Sequence, residues 1–420
     1  MADRLSATHL NSTQPTAATS AARPLVPIIS IDELEADPHG LFRRHRPLTP
    51  IVAHEAGGHL VLRAKDVERL AKDIRLRATE TELPRLRGIV DGPLLETFEN
   101  SMLTSNGVVH RRRRAPFTRA FAARLIAEMR PHIRQTAETL IDAFYEDGTT
   151  DLVGGYTALL PARTISDLLG LPHADIPHFT QLVYEVSRVF SFTFTADEIP
   201  ALQAAAQKLA DYVQGTLEDR RRRPRDDFLS AVLAATDQND ELSSLEVIVQ
   251  IVTLIVGGTD TTRVAGAMQA SLLLQHPAQW DAVCSEPTLV PAAVSEALRY
   301  EPSVASLARF VLEDVDLDGY TLPADTFVRL STMSAMRDER IYDNPDVFDI
   351  SRNVEMRGHL VFGGGPHRCI GEALARIELE EGLAALTQRI PQLRLAGDAP
   401  RPRGHVGIRR IGRMPVAWRL

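Results

Sequence analysis

Residues 362–371 read Phe362-Gly363-Gly364-Gly365-Pro366-His367-Arg368-Cys369-Ile370-Gly371 and run into Glu372-Ala373-Leu374-Ala375-Arg376. The second segment reads as the start of a helix. The first, rich in glycine and broken by proline, is a loop that delivers one cysteine. Glycines around a thiol let the backbone approach something large and flat, because no Cβ stands in the way. The unpaired N–H groups and macrodipole of the following helix favour a thiolate at Cys369. A thiolate held this way is a metal ligand or a nucleophile.

A free cysteine is most often a small buried hydrophobe, and a Cys-His hydrolase is a further reading. The hydrolase needs a base poised against the thiol, whereas His367, two positions away, sits beside it. The spacing F-x-x-G-x-H-x-C-x-G resembles the haem-ligating loop of the cytochromes P450, and that resemblance favours ligation over both. It implies haem b (iron protoporphyrin IX) with Cys369 as its axial thiolate. Phe362, Gly363, His367 and Gly371 would then be the loop residues against the cofactor. In that family the thiolate pushes electron density onto iron and favours O–O cleavage.

The chain has 420 residues, 44% hydrophobic and 24% charged, with net charge -8, an ordinary balance for a globular protein. No linker or repeat divides it. One mainly α domain with small β-sheets, a P450 haem domain, is expected over residues 24–420. Residues 1–23 are polar, rich in Ser, Thr and Ala, and read as a disordered tail, not a signal peptide. With two cysteines, Cys284 and Cys369, no disulfide framework is expected. No run of about 18 apolar residues suggests a membrane span. Within the resembled family this points to the soluble bacterial type: cytoplasmic, monomeric, with no nucleic-acid partner.

Pro50 to Ala64 reads as a β-hairpin around Glu55-Ala56-Gly57-Gly58, and Lys65 to Asp73 as a helix. His54 and His59 are five apart with two glycines between them, so they do not form a helical zinc motif. Thr79 to Ser105 is broken by Pro84, Gly88, Gly92 and Pro93; the resemblance makes it the loop over the substrate pocket. Arg85 and Arg87 there are candidates to pair with a substrate carboxylate. His110-Arg111-Arg112-Arg113-Arg114 heads a helix expected to run to about Met129. His110 and Arg114 share a helix face and match the family's pair on a haem propionate, although Asn106-Gly107-Val108-Val109 replaces the usual Asp-Pro-Pro-acid lead-in. Arg111, Arg112 and Arg113 read as a solvated face. With Arg368 and Arg376 they form a basic patch on which an acidic ferredoxin is expected to dock.

Pro131 to Gly170 reads as helical. Phe190, Phe192 and Phe194 alternate with polar residues, which suggests a short strand, in a region where the family carries a mobile lid. Gln203 to Arg223 is a helix ending in a solvated basic run, Arg220 to Arg223.

From about Leu242 to Gln275 runs a helix of roughly 30 residues, about 45 Å long. Its middle, Gly257-Gly258-Thr259-Asp260-Thr261-Thr262, accepts glycines that cost about 1 kcal/mol each relative to alanine. Thr261 is placed to bond the carbonyl of Gly257 and bend the helix. This resembles the family's oxygen-binding segment, which implies that Asp260 relays protons and that Thr261 holds peroxide and its water. Glu296-Ala297-Leu298-Arg299, together with Arg352, resembles the family's buried ion triad, a structural device. Arg309 matches a second propionate ligand. Val315 to Val328 and Leu393 onward supply short strands, and His359 is a structural histidine.

The resemblance implies monooxygenation, RH + O₂ + 2e⁻ + 2H⁺ giving ROH and water, on an apolar small molecule. Electrons would come from a ferredoxin and its NAD(P)H-dependent reductase, with no fused flavin domain. A peroxide-driven peroxygenase and a non-catalytic haem-thiolate sensor are the alternatives; the Asp260-Thr261 pair argues against both.

Overall fold

The computed structural model describes residues 25–121, 123–191, 194–237, 242–352 and 359–418. The N-terminal tail and Phe192 therefore lie outside the described residues. Helices in the first half are α1 (Ile31–Ala36), α2 (Pro38–His45), α3 (Ala64–Leu70), α4 (Glu82–Leu86), α5 (Gly92–Asn100), α6 (Gly107–Ala120), α7 (Ala123–Asp142), α8 (Leu159–Leu169) and α9 (Ile176–Ser191). There follow α10 (Ile199–Arg222), α11 (Phe228–Asp237), α12 (Ser244–Gln275), α13 (Pro277–Ser285), α14 (Val290–Tyr300), α15 (Thr332–Ala335) and α16 (Glu372–Arg389).

The strands are short. β1 (Ile28–Ile29), β2 (Ile51–His54), β3 (His59–Val61), β4 (Leu76–Arg77), β6 (Ser306–Val311) and β9 (Phe327–Ser331) form one sheet in the order β1-β2-β3-β9-β6-β4. β5 (Thr149–Asp151), β10 (Arg394–Leu395) and β11 (Pro415–Ala417) form a second, ordered β10-β11-β5. β7 (Val315–Leu317) and β8 (Tyr320–Leu322) make a hairpin. The expected β2–β3 hairpin and the mainly helical architecture are both present.

α12 is the axis of the helical part. Ser243 and Glu246 close a reciprocal capping box at its start, with bonds of 3.2 and 3.0 Å. It is apolar around most of its circumference, as a helix packed on all sides must be. α8, α9, α10, α14 and α16 surround it. By length and hydropathy it could cross a membrane, yet 67% of its most apolar window is buried inside the protein.

Four readings from the sequence are corrected. The helix carrying His110 stops at Ala120; Phe121 leaves helical geometry (ψ 39°) and sets its ring edge-on against Phe228, 4.9 Å between centroids. The segment Pro131 to Gly170 is not one helical stretch. The chain turns at Gly148 (φ 67°) so that β5 can pair with β11, a partner more than 260 residues away. Phe190 is not in a strand but in α9, in phase with buried Val183 and Val186, and its ring meets Phe98 at 5.1 Å. Arg220 is not solvated: it is buried, and donates to Asp227 (2.5 Å) and to the Gly170 carbonyl (2.5 Å), tying α10 to the end of α8.

Candidate active site

A cavity of about 400 Å³ lies between the middle of α12 and the glycine loop that precedes α16. Phe362, Gly363, His367, Cys369 and Gly371 line it from the loop, and Gly257 and Thr261 from α12. Arg114 and Arg309 complete that wall. The rest is largely apolar, with Leu83, Phe98, Val189, Phe190 and Val252 over the top. The broken segment Thr79 to Ser105 does reach the cavity, but as the two short helices α4 and α5 and their flanks.

The loop's shape is set by glycine. Gly365 has φ +61°, and a Cβ there would lie 2.8 Å from the Ala71 carbonyl at the end of α3. The Cys369 N–H donates to the Phe362 carbonyl at 2.8 Å, closing the loop so that the thiol opens onto the cavity. Desolvation by the surrounding protein pushes the thiol pKa up, against the opposing pull of the Gly371 N–H, Arg114 and Arg368. A metal cation beside the sulfur would lower its pKa. Cys284, on α13, does not line the cavity, and burial pushes its thiol up to about 11.

On the facing wall, the two glycines do different work. A Cβ on Gly257 would meet nothing within 4 Å, whereas on Gly258 it would lie 2.5 Å from Ile165 Cδ1. One opens space and the other lets α8 approach. Thr261 Oγ1 donates to the Gly257 carbonyl at 2.5 Å, the expected back-bond. Asp260, one residue earlier, is buried and turned away from the cavity; it accepts from Arg263 Nε (2.9 Å) and Nη2 (2.5 Å).

His110, Arg114, Arg309 and His367 gather on one wall. The His110 and His367 rings lie 4.2 Å apart, and His110 Nε2 is buried with no partner among the described residues. Burial, then Arg114 and Arg111, depress His110 to about 4. His367 falls to about 3 through burial, Arg309, His110 and Arg114. Arg309 is lowered to about 10 by burial, and its Nη1 donates to the Ala308 carbonyl (2.8 Å). Arg114 Nη2 donates to the Arg368 carbonyl at 2.6 Å. Among the described residues no carboxylate pairs with any of these groups. The unusual lead-in has its own device: Asn106 Oδ1 accepts from the Ala78 N–H (2.8 Å) and Nδ2 donates to the Ala78 carbonyl (3.1 Å), clamping the start of α6 to the preceding loop.

The buried ion triad is present. Glu296 and Arg299, both with fully buried side chains, are joined at 2.7 Å, and Arg352 Nε reaches Glu296 at 3.4 Å. Arg299 also donates to the carbonyls of Met336 (3.0 Å) and Pro345 (2.8 Å), pinning the segment that leads to the cysteine loop. His359 contacts Arg376 at 2.7 Å, a structural placement.

The basic patch needs correction. Arg113 is buried and donates to Glu246 (2.9 Å) and to the Glu99 carbonyl (2.8 Å), and Arg112 Nη1 donates to Glu246 at 3.0 Å. Both belong to the α6–α12 junction, because the α12 capping acid lies directly beside them. Arg85 is likewise engaged, by Glu99 at 3.2 Å.

Sequence reasoning missed Glu378. It lies on the core face of α16, one turn after Leu374, and lines both the main cavity and a second one of about 30 Å³ with Gln269, Thr157 and Thr262. Its Oε2 has no partner among the described residues, and burial pushes its carboxyl well above the ordinary value of 4.5. The available signal was an acid at a helical position in phase with apolar residues.

A family model described as cytochrome P450 matches residues 176–390. Cytochrome P450-pinF1, plant-inducible, of Rhizobium radiobacter is 44% identical over 388 residues, 92% of each chain. The chain belongs to the cytochrome P450 family. Nocardicin C N-oxygenase of Nocardia uniformis subsp. tsuyamanensis, another relative, is 36% identical, over 86% of this chain and 89% of its own. The crystal structure of CalO2 superposes with a TM-score of 0.85 at 31% identity, covering 92% and 97% of the two chains. This P450 is accordingly a haem monooxygenase of a family whose iron is held by a cysteine thiolate. The chain's own residues fit that group: a cavity-facing thiol, a glycine that leaves room opposite it, and a wall on which Arg114 and Arg309 have no carboxylate partner among the described residues, as two propionates require.

Proposed function

We propose that Cys369 is the axial ligand of the haem, and that this P450 hydroxylates a C–H bond of an apolar small molecule with electrons from a ferredoxin. The observation that carries this is the placement of Cys369 and Thr261 on facing walls of one cavity whose remaining lining is mostly apolar. Arg114, Arg309, His110 and His367 would hold the propionates. Their burial makes charge-assisted bonds to an anion strong. Bound haem supplies redox-active iron at which dioxygen is activated.

The protein's part is to seat substrate, exclude water and deliver protons. Phe98, Phe190 and Val252 shed water from the substrate's surface. The Thr261 hydroxyl, already donating to the Gly257 carbonyl, lines the cavity and retains lone pairs to accept a further hydrogen bond. Asp260 would pass protons inward once released from Arg263. The net change is RH + O₂ + 2e⁻ + 2H⁺ giving ROH and water.

Ferredoxin docking falls to the exposed Arg111, since Arg112 and Arg113 are committed to Glu246 and Arg368 to Glu372. The test is reconstitution with a ferredoxin, its reductase and NADH. Hydroxylated product in proportion to NADH supports this reading. Product with peroxide alone, and none with NADH, contradicts it in favour of a peroxygenase; haem binding without turnover under either condition contradicts it in favour of a sensor.

A further inference from the structure

Arg329 lies mid-strand in β9, paired with Leu60 on β3 and with Ala308 on β6. Cross-strand partners share a face of the sheet. Leu60 in turn pairs with Val52, so His54, two residues along β2, lies on the same face. The Arg329 guanidinium is partly buried, and among the described residues no hydrogen bond or carboxylate engages it. Its charged neighbours are Arg87, His54 and His405, all of its own sign when charged. The nearby acids are occupied: Glu35 bonds His405 Nδ1 at 2.7 Å, and Glu55 accepts the Ile31 N–H at 2.7 Å.

A cation taken out of water beside another cation, Arg87, with no partner, is an unfavourable arrangement. Arg309, the chain neighbour of Ala308, projects from the opposite face of its strand. The side chains of Arg329, Arg87, His54 and His405 do not line the main cavity, but residues beside them on three segments do. Ala308, the partner of Arg329, lines that cavity; so does Val406, next to His405, and Leu83, one turn before Arg87.

We infer that Arg329 anchors the carboxylate of a substrate whose apolar body extends into the cavity toward Cys369. The guanidinium's planar fork suits bidentate carboxylate recognition. Arg87, whose guanidinium lies 5.4 Å from the Phe194 ring centre, stands at the same rim as a second cation. This rests on the monooxygenase reading and narrows its substrate class to apolar monocarboxylates.

The test uses the haem-loaded full chain and a matched pair of probes, dodecanoate and its methyl ester, titrated by the Soret change on displacement of water. The acid is expected to bind about ten-fold tighter than the ester, about 1.4 kcal/mol, with the difference shrinking as salt rises. Arg329→Gln should abolish that preference while leaving ester affinity within about two-fold, and Arg329→Lys should retain part of it. Neutralising an unpaired cation leaves no orphaned acid, so Arg329→Gln is also expected to melt no lower than the parent. Equal affinity for acid and ester, no detectable binding of the acid, or a preference that survives Arg329→Gln would each overturn the inference. The ferrous–CO spectrum of the same samples reports independently on the thiolate site, so failure there is distinguishable.

Discussion

The carboxylate of Asp260 is held by the guanidinium of Arg263, one turn further along α12, at 2.9 Å from Nε. A proton relay through Asp260 therefore includes breaking that pair. Asp260→Asn should slow turnover about 100-fold, the lower end for loss of a positioned proton-transfer group, while the substrate-induced Soret change persists. Thr261→Ala should instead divert reducing equivalents to peroxide. Product, peroxide and NADH measured together separate the two; an unchanged turnover rate in Asp260→Asn and unchanged coupling in Thr261→Ala would remove both from the relay.

Glu246 ties the run of arginines to α12 by accepting from Arg112 and Arg113 while capping the helix. Burial pushes its carboxyl up, but the bonds from Arg112, the Ser243 N–H and Arg113 outweigh this and hold it at about 2. The contribution is fully present above the ordinary value of 4.5 and is lost as pH falls toward about 2, because the unfolded chain takes up the proton first. Arg113→Ala should cost about 3 kcal/mol at neutral pH, as for one partner of a buried pair, and blunt this acid transition. Arg111→Glu, on an exposed side chain, should stay within about 0.5 kcal/mol. Denaturant midpoints across pH check both.

The cysteine loop, the glycine-threonine segment of α12 and the Glu296–Arg299 pair were legible because each is local: the chemistry sits within a few residues of chain. What failed depended on distant partners. The Phe190 alternation has the period of a strand, but α9 is decided by packing against α10 and α12. Arg220 reads as solvated until the chain returns with Asp227. Nothing near Arg113 in sequence announces Glu246. The register that places Arg329 beside Ala308 likewise exists only in the assembled sheet.

Glu378 gives the opposite pH signature from Glu246. Burial raises its carboxyl pKa, so the folded state keeps the proton longer than the unfolded chain. Stability from this group is full below the ordinary value of 4.5 and declines as pH rises above it, by up to about 1.4 kcal/mol per unit. Glu378→Gln keeps the shape and removes the titration, so its midpoint should fall less than the parent's between pH 5 and pH 8, roughly the range where native proteins are most stable. Parallel curves would show that Glu378 is ionised in the folded protein.

The most direct test of the account is the ferrous–CO spectrum of Cys369→Ser beside that of the parent protein. Cys369 is the cysteine that faces the cavity, and a serine hydroxyl supplies no comparable anionic donor near neutral pH. The account predicts that the red-shifted thiolate band is present in the parent and absent in Cys369→Ser, while Cys284→Ser leaves it unchanged. A band that survives Cys369→Ser would contradict the assignment on which the rest depends.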